Sequence, residues 1–422
     1  MEKPMSNSFK FTGSLTDKPK LCVVGVGGGG GNAVNDMITR GISGVEFIAV
    51  NTDAQALRKN LAPVKIQAGS ALTKGLGAGA RPTVGADAVE ESREEIKQAL
   101  RGFDMVFITA GMGGGTGTGG APVVAAIAQK LHILTVAIVT QPFEFEGARR
   151  RKAADEGIEL LRDFVDTLIV VPNERLMEIS DDKTSWLEAF SMVDNVLYNA
   201  ARGISDLITV HGLVNLDFAD VKTTMEAGGQ AVMGAAEASG AARAEVAAKD
   251  AISSPLLDGL SIAGASNVLV NITSGKNITL QEVKTAVGII REEAGAEVEV
   301  IFGTVIDQAM DDKLSVTVVA TGFDLSPGLN GQPPYPRRTM SLSSTGAVPN
   351  YKGEDNLKKL DVPAYVRREI VRQDEESERS DRETREEAQT TRAKINRLHR
   401  DNPGQTRKED TDTPAFLRKM MD

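Results

Sequence analysis

Between Lys20 and about residue 180, short β-branched apolar runs alternate with longer stretches whose apolar positions recur every three or four residues. LCVVGVG, VEFIAVN, PVKIQAG, DMVFITAG, ILTVAIVTQP and TLIVVPN read as strands, each short and bounded by turn-forming residues. Strands alternating with helical patterns predict a doubly wound α/β domain. From residue 182 to about 210 the pattern changes to one long helix. Trp186, Leu187, Phe190, Val193, Leu197, Ala200, Ile204 and Leu207 follow at steps of one, three or four.

A second block, residues 230–322, offers QAVMGAAEAS, NVLVNITSG, EVEVIFGTVID and LSVTVVATG as strands, with helical patterns near 242–252 and 280–293. It predicts a smaller mixed-sheet α/β domain. After residue 324 the chain turns to Pro, Gly and Ser and then to interleaved charge with little apolar surface, the composition of a flexible linker. It closes on a short amphipathic peptide, Asp412-Thr413-Pro414-Ala415-Phe416-Leu417-Arg418-Lys419.

Composition narrows the function. The 422 residues, 41% of them apolar, can supply two cores. A net charge of −10 argues against free nucleic acid as a ligand, because phosphate neutralisation needs clustered Lys and Arg. The single cysteine, Cys22, lies in an apolar strand, so neither an internal disulfide nor a cysteine metal cage is expected. His132, His211 and His399 match no zinc spacing. No run spans a bilayer and residues 1–19 lack a signal-peptide centre, so a cytoplasmic protein without direct membrane insertion is expected.

The chemistry sits in glycine loops. Strand LCVVGV runs into Gly27-Gly28-Gly29-Gly30-Gly31-Asn32, a tract that opens a helix and brings backbone N–H groups toward a phosphate. The Gly25-x-Gly27-x-x-Gly30 spacing, with Asp53 downstream, fits a dinucleotide-binding enzyme equally well at this point. The second tract, Gly113-Gly114-Gly115-Thr116-Gly117-Thr118-Gly119, favours a mononucleotide triphosphate spread over two neighbouring strand ends, with two hydroxyls for phosphate or metal. The usual P-loop is missing, since Gly275-Lys276 is followed by Asn277.

GGGTGTG at 113–119 is similar to the signature of the tubulin and FtsZ superfamily, and the chain resembles the bacterial cell-division branch of that family from about residue 20 to 323 and again at the terminal peptide. Asn51-Thr52-Asp53, Gly75-Leu76-Gly77-Ala78-Gly79-Ala80, Pro142-Phe143-Glu144-Phe145-Glu146-Gly147 and Asn215-Leu216-Asp217-Phe218-Ala219-Asp220 follow in family order. The resemblance implies a GTPase that uses GTP/GDP and Mg²⁺. It implies that Gly28, Gly29, Gly30, Gly31, Asn32, Gly115, Thr116 and Gly117 cradle the phosphates, and that the Gly79 loop senses the γ-phosphate. Glu146 and Arg150 are expected on ribose and phosphate, and Asn173, Phe190 and Asp194 on guanine.

It further implies that Asn215, Asp217 and Asp220 act on the nucleotide of an adjoining subunit in a head-to-tail homopolymer at a mid-cell division ring. The long helix separates these residues from their own nucleotide; without the resemblance, Asn215 and Asp217 read first as caps of the next helix. The expected organisation is a flexible N-terminus at 1–19, a GTP-binding domain at 20–181, the central helix at 182–214, a C-terminal α/β domain at 215–324, a linker at 325–410 and a partner-docking peptide at 411–422. FtsA-like or ZipA-like membrane-tethering proteins are the partners implied for that peptide, through Pro414, Phe416 and Leu417. Arg81, Asp36 and Thr413 depart from the usual family residues. An NAD-dependent oxidoreductase and a non-polymerising nucleotide-gated adaptor are the competing readings.

Overall fold

The computed structural model describes residues 18–178 and 184–323, apart from 211, 213, 215, 227 and 258–260. Asn215, most of the expected N-terminal segment, the start of the long helix at 182, the linker 325–410 and the peptide 411–422 therefore lie outside the described residues.

The chain runs through β1 (Leu21–Val26), α1 (Gly27–Arg40), β2 (Val45–Asn51), α2 (Ala54–Lys59), β3 (Val64–Gln67), α3 (Ser70–Thr73), α4 (Pro82–Glu91) and α5 (Arg93–Leu100). It continues with β4 (Met105–Gly111), α6 (Thr116–Lys130), β5 (Leu134–Gln141), α7 (Ala148–Arg162), β6 (Thr167–Pro172) and α8 (Glu174–Met177). Then come α9 (Trp186–Thr209), α10 (Phe218–Glu226), β7 (Gly229–Ser239), α11 (Arg243–Ile252), β8 (Asn267–Ser274), α12 (Leu280–Ala294), β9 (Glu299–Ile306) and β10 (Lys313–Thr321).

The strands lie in the order β3-β2-β1-β4-β5-β6-β7-β10-β8-β9. β1 to β6 are parallel. β7 pairs with β6 only through Thr167, Leu168 and Ile169, and beyond it β10 runs antiparallel to β7 and β8 while β8 and β9 are parallel. The predicted mixed sheet is present, and it continues the first sheet instead of standing apart. Both faces of the parallel part are covered, which is why its strands read as unbroken apolar runs. Leu21 and Val23 join Met37 of α1 and Leu197 and Ile204 of α9 in one core. Cys22, Val24 and Val26 join Ile96 of α5 and Val124 of α6 in the other. In the second half, Ala247 of α11 and Ile290 of α12 close over Val268, Val270 and Val316.

Ser185 starts α9 with a reciprocal cap. Its hydroxyl accepts from the Glu188 N–H at 3.3 Å while the Glu188 carboxylate accepts from the Ser185 N–H at 2.7 Å. Val193, Leu197, Ala200, Ile204 and Leu207 are buried as the periodicity predicts. Trp186 and Leu187 are not; they are 65% and 77% exposed. The first turn of α9 reaches past the strand ends to the Phe143–Phe145 ring pair, beyond the core that buries the rest of the helix.

The two ends of α9 mark the two edges of the sheet. Its last residue, Thr209, lies against Gly44, just before the amino end of β2; a methyl on Gly44 would fall 2.7 Å from the Thr209 Cβ. α10 lies at the same amino edge, where the Thr167 hydroxyl, at the foot of β6, donates to the Met225 carbonyl.

Candidate functional site

The loops at the carboxyl edge of the parallel strands converge between β1 and β4. The chain winds outward from β1 to β2 and β3 on one side, and from β4 to β5 and β6 on the other, so a topological switch point lies between them. Both glycine tracts open there.

Close approach explains part of the first tract. A Cβ on Gly25 would fall 2.4 Å from the Gly30 carbonyl oxygen, one on Gly30 2.2 Å from that of Thr109, and one on Gly27 2.8 Å from the Gly117 nitrogen. These glycines let the start of α1 lie against β4 and α6. Gly28 differs: it is exposed, with no atom within 4 Å of its Cβ position, and Gly29 and Asn32 are exposed beside it. The first turn of α1 therefore presents N–H groups that have no acceptor within the helix. Gly30, counted from the sequence among the phosphate ligands, packs beneath that surface.

The second tract has a similar division. A Cβ on Gly119 would lie 1.9 Å from the Pro82 carbonyl oxygen, and one on Gly85 2.3 Å from that of Gly115. The amino ends of α4 and α6 thus meet backbone to backbone. Gly115 abuts the 78–81 loop, with its Cβ position 2.8 Å from the Ala78 Cβ and 3.0 Å from the Arg81 nitrogen. The Thr118 hydroxyl accepts from the Gly113 N–H at 2.9 Å and so holds the loop, while the Thr116 and Thr52 hydroxyls share a buried 2.6 Å hydrogen bond. Three helix amino ends, those of α1, α4 and α6, face this region with their partial positive charge. Ala80 adopts φ +55°, a left-handed conformation costly for alanine.

The next loops complete the carboxyl edge. Glu146, after β5, accepts from the Phe143 N–H at 3.0 Å and pairs with Arg150 one turn on. Arg150 lies beneath the second tract, its carbonyl oxygen 2.9 Å from a Cβ placed on Gly113. Asn173, after β6, is 5% exposed; its N–H donates to the Gln141 carbonyl and its Oδ1 has no partner. Phe190 is half-buried, edge-on to Phe143 at 5.7 Å and tilted against Trp186 at 5.4 Å. Asp194 is pushed up to about 6 by burial and then by the charge of Asp36, with Arg40 pulling it partly back. Arg40 donates to Asn195 at 2.6 Å and to Asp36 at 3.1 Å, tying α1 to α9.

Sequence reading missed two contacts. Asn60 donates to the Gly31 carbonyl at 2.8 Å and so holds the end of the tract, and Arg40 donates to Asn195 at 2.6 Å beside Asp194. Both join residues far apart in sequence and leave no local pattern, whereas Asp36, noted above as a departure, pairs with Arg40 one turn on. Asp53 has a different task from the dinucleotide reading: its carboxylate caps α2, accepting from the Gln55 and Ala56 N–H groups.

Asp217 and Asp220 stand apart from this constellation, at the start of α10 on the amino edge. Both are exposed, and their carboxylates make no hydrogen bond or ion pair among the described residues. At ~1.5 Å per residue the stretch of α9 from Asp194 to Thr209 covers roughly 22 Å, so the two groups of residues lie toward opposite edges of the sheet.

Comparison with known proteins agrees with this geometry. Residues 20–181 match the GTPase domain of the Tubulin/FtsZ family, and residues 229–324 match the C-terminal domain of the FtsZ family. The empty FtsZ dimer of the archaeon M. jannaschii is 45% identical over 73% of this chain and 89% of that chain, with a TM-score of 0.70. CetZ2 from Haloferax volcanii, as a GTPγS-bound protofilament, is 23% identical over 72% of this chain and 93% of that chain and shares the fold with a TM-score of 0.61. With both domains matched in order and 45% identity to a structure covered almost throughout, the chain belongs to the tubulin/FtsZ family and is a GTPase.

Proposed function

We propose that this GTPase assembles head to tail into filaments of the cell-division ring and hydrolyses GTP in a site completed by two subunits. One observation carries the reading: the glycine cradle and the exposed carboxylates of Asp217 and Asp220, without a partner among the described residues, occupy opposite edges of one sheet. Stacking the amino edge of one copy on the carboxyl edge of the next brings them together. That contact joins two different faces and, unclosed, gives an open filament. The M. jannaschii relative, solved as a dimer, supports self-association.

In this reading Gly28, Gly29, Gly31 and Asn32 of α1, with Gly30 packing beneath them, and Gly115, Thr116 and Gly117 of α6 receive the phosphates through backbone N–H groups. The Gly79 loop meets the γ-phosphate, and Glu146 and Arg150 bind ribose and phosphate. Guanine presents N1–H and N2–H donors, and the Asp194 carboxylate and the free Asn173 Oδ1 are matching acceptors, with Phe190 as the stacking ring. Mg²⁺ needs few protein oxygens where phosphates and water supply the rest. When bound, the ion offsets charge developing on the transferred phosphoryl group. Asp217 and Asp220 of the adjoining subunit, with Asn215, orient the attacking water and take its proton. Residues 325–410 serve as a linker, and 411–422 dock to a membrane-tethering partner.

The test is sedimentation of the full chain with GTP, GDP or no nucleotide, with phosphate release followed against protein concentration. Pelleting with GTP and a threshold concentration for hydrolysis are expected. Asp217→Ala should retain GTP binding and lose hydrolysis. Hydrolysis strictly proportional to protein, without pelleting, would place the whole site in one subunit and overturn the reading.

A further inference from the structure

Arg81 takes the N-cap position of α4 with its backbone, but its side chain makes no capping bond. Its N–H donates to the Ala78 carbonyl at 3.2 Å and its carbonyl accepts from the Gly85 N–H at 3.1 Å, which fixes the residue at the head of the helix. The guanidinium folds back over the loop, so that a methyl on Gly79 would lie 3.9 Å from both Nε and Nη2. Among the described residues it has no hydrogen bond and no ion pair. Sequence denies it a local one: Val84 and Gly85 stand three and four residues ahead, Ala78 and Gly77 behind, where other arginines of this chain find carboxylates.

The surroundings give that charge a reason. It lies where the amino ends of α4 and α6 meet backbone to backbone, so the partial positive charge of two helix ends gathers beside it. Position along the cradle follows from the packing. Asp194 and Asp36 mark one end; α1 then touches α6 through Gly27 and Gly117, and α6 touches the 78–81 loop through Gly115. In this order of contacts the loop comes last, where the last phosphate of a nucleotide placed as proposed above would fall.

We infer that Arg81 is a positioning residue for the terminal phosphate and separates GTP from GDP by a charge-assisted contact that only the triphosphate reaches. The inference rests on the nucleotide placement proposed above. A guanidinium offers a planar pair of donors to two phosphate oxygens, whereas an ammonium offers a point charge. Lysine at this position therefore recovers only part of the effect.

The experiment measures affinities of the full chain for GDP and for a non-hydrolysable GTP analogue, below the concentration at which it sediments, in wild type, Arg81→Ala, Arg81→Lys and Asp194→Ala. Arg81→Ala should weaken the GTP analogue roughly tenfold or more, the effect of losing a hydrogen bond between charged groups, and leave GDP unchanged. Arg81→Lys should fall between. An unchanged ratio of the two affinities in Arg81→Ala, with both nucleotides weakened in Asp194→Ala, would overturn the role of Arg81 and keep the site. Undiminished binding of both nucleotides by Asp194→Ala would remove the placement itself, and the inference with it.

Discussion

The carboxylate of Asp194 on α9 lies within electrostatic reach of that of Asp36 on α1. Burial first, and the Asp36 charge second, push Asp194 up to about 6 against the pull of Arg40. The folded state thus favours a proton on Asp194. Its contribution to stability is fully present below the unfolded value near 3.8 and is lost as pH rises through about 6. Guanine donors need the ionised form, so nucleotide should oppose that proton. GDP affinity should therefore fall as pH is lowered from about 7 toward 5, a titration that directly tests the assignment. Asp36→Asn removes one cause of the shift and should move the midpoint to lower pH. A midpoint unmoved by that substitution would separate Asp36 from the base site.

Two glycines of the tracts should respond in opposite ways to alanine. At Gly119 the added methyl would lie 1.9 Å from the Pro82 carbonyl oxygen, so α4 must move away from α6. A loss of about 2 kcal/mol or more is expected, visible as a lower thermal midpoint. At Gly28 the methyl meets nothing within 4 Å, and alanine favours a helix. Gly28→Ala should keep or slightly raise the thermal midpoint while weakening GDP, because in the proposed site the methyl stands where a phosphate approaches. Unchanged GDP affinity in that variant would move the phosphate away from the first turn of α1.

Elements whose physics is local were legible in sequence. Continuous apolar runs such as LTVAIVTQ announced strands covered on both faces, and the glycine tracts announced helix starts at strand ends. The reading could not tell which glycines pack and which line a surface, because that depends on what lies opposite. Gly30 is held by Thr109 of β4, distant in sequence, and Gly28 by nothing. The same holds for polar groups. Thr118 and Thr116 share one motif, yet one hydroxyl braces Gly113 and the other meets Thr52. Periodicity also overreached at Trp186 and Leu187, which satisfy the helical pattern but rise beyond the layer that buries it. The β6–β7 junction, three residue pairs long, had no signal in either strand.

The second half of the chain carries an acid-sensitive lock. Arg243, 5% exposed, donates from Nε to Glu282 at 2.7 Å, and Glu282 also accepts from the N–H and hydroxyl of Thr279 at the start of α12. These bonds, the Arg243 one foremost, hold Glu282 down to about 2. With a lowered folded value the sign reverses from that of Asp194: the stabilisation is present above about 4.5 and is lost as pH falls toward about 2. Glu282→Gln should flatten that acid limb in urea unfolding. At neutral pH it should cost about 3 kcal/mol, because the buried Arg243 keeps hydrogen-bond acceptors but loses the charge of Glu282. An acid limb as steep as wild type would assign the acid sensitivity to other carboxylates.

Trp186 offers an internal report on where the base lies. It is the single tryptophan of the chain, 65% exposed, with ring centroids 4.9 Å from Phe145 and 5.4 Å from Phe190. A purine stacked on Phe190 must displace water beside the indole or shift its tilt, since the rings already touch along one side. Indole emission should change in intensity and position as GDP is added, with a midpoint equal to the binding constant measured independently. ATP should leave it unaltered at the same concentrations, because adenine lacks the N1–H donor that the proposed site gives to Asp194 and Asn173. Phe190→Leu keeps an apolar side chain on α9 and should abolish most of the change while weakening GDP. Emission indifferent to saturating GDP would mean that the base binds away from Phe190, leaving the four rings as a packing cluster at the head of α9.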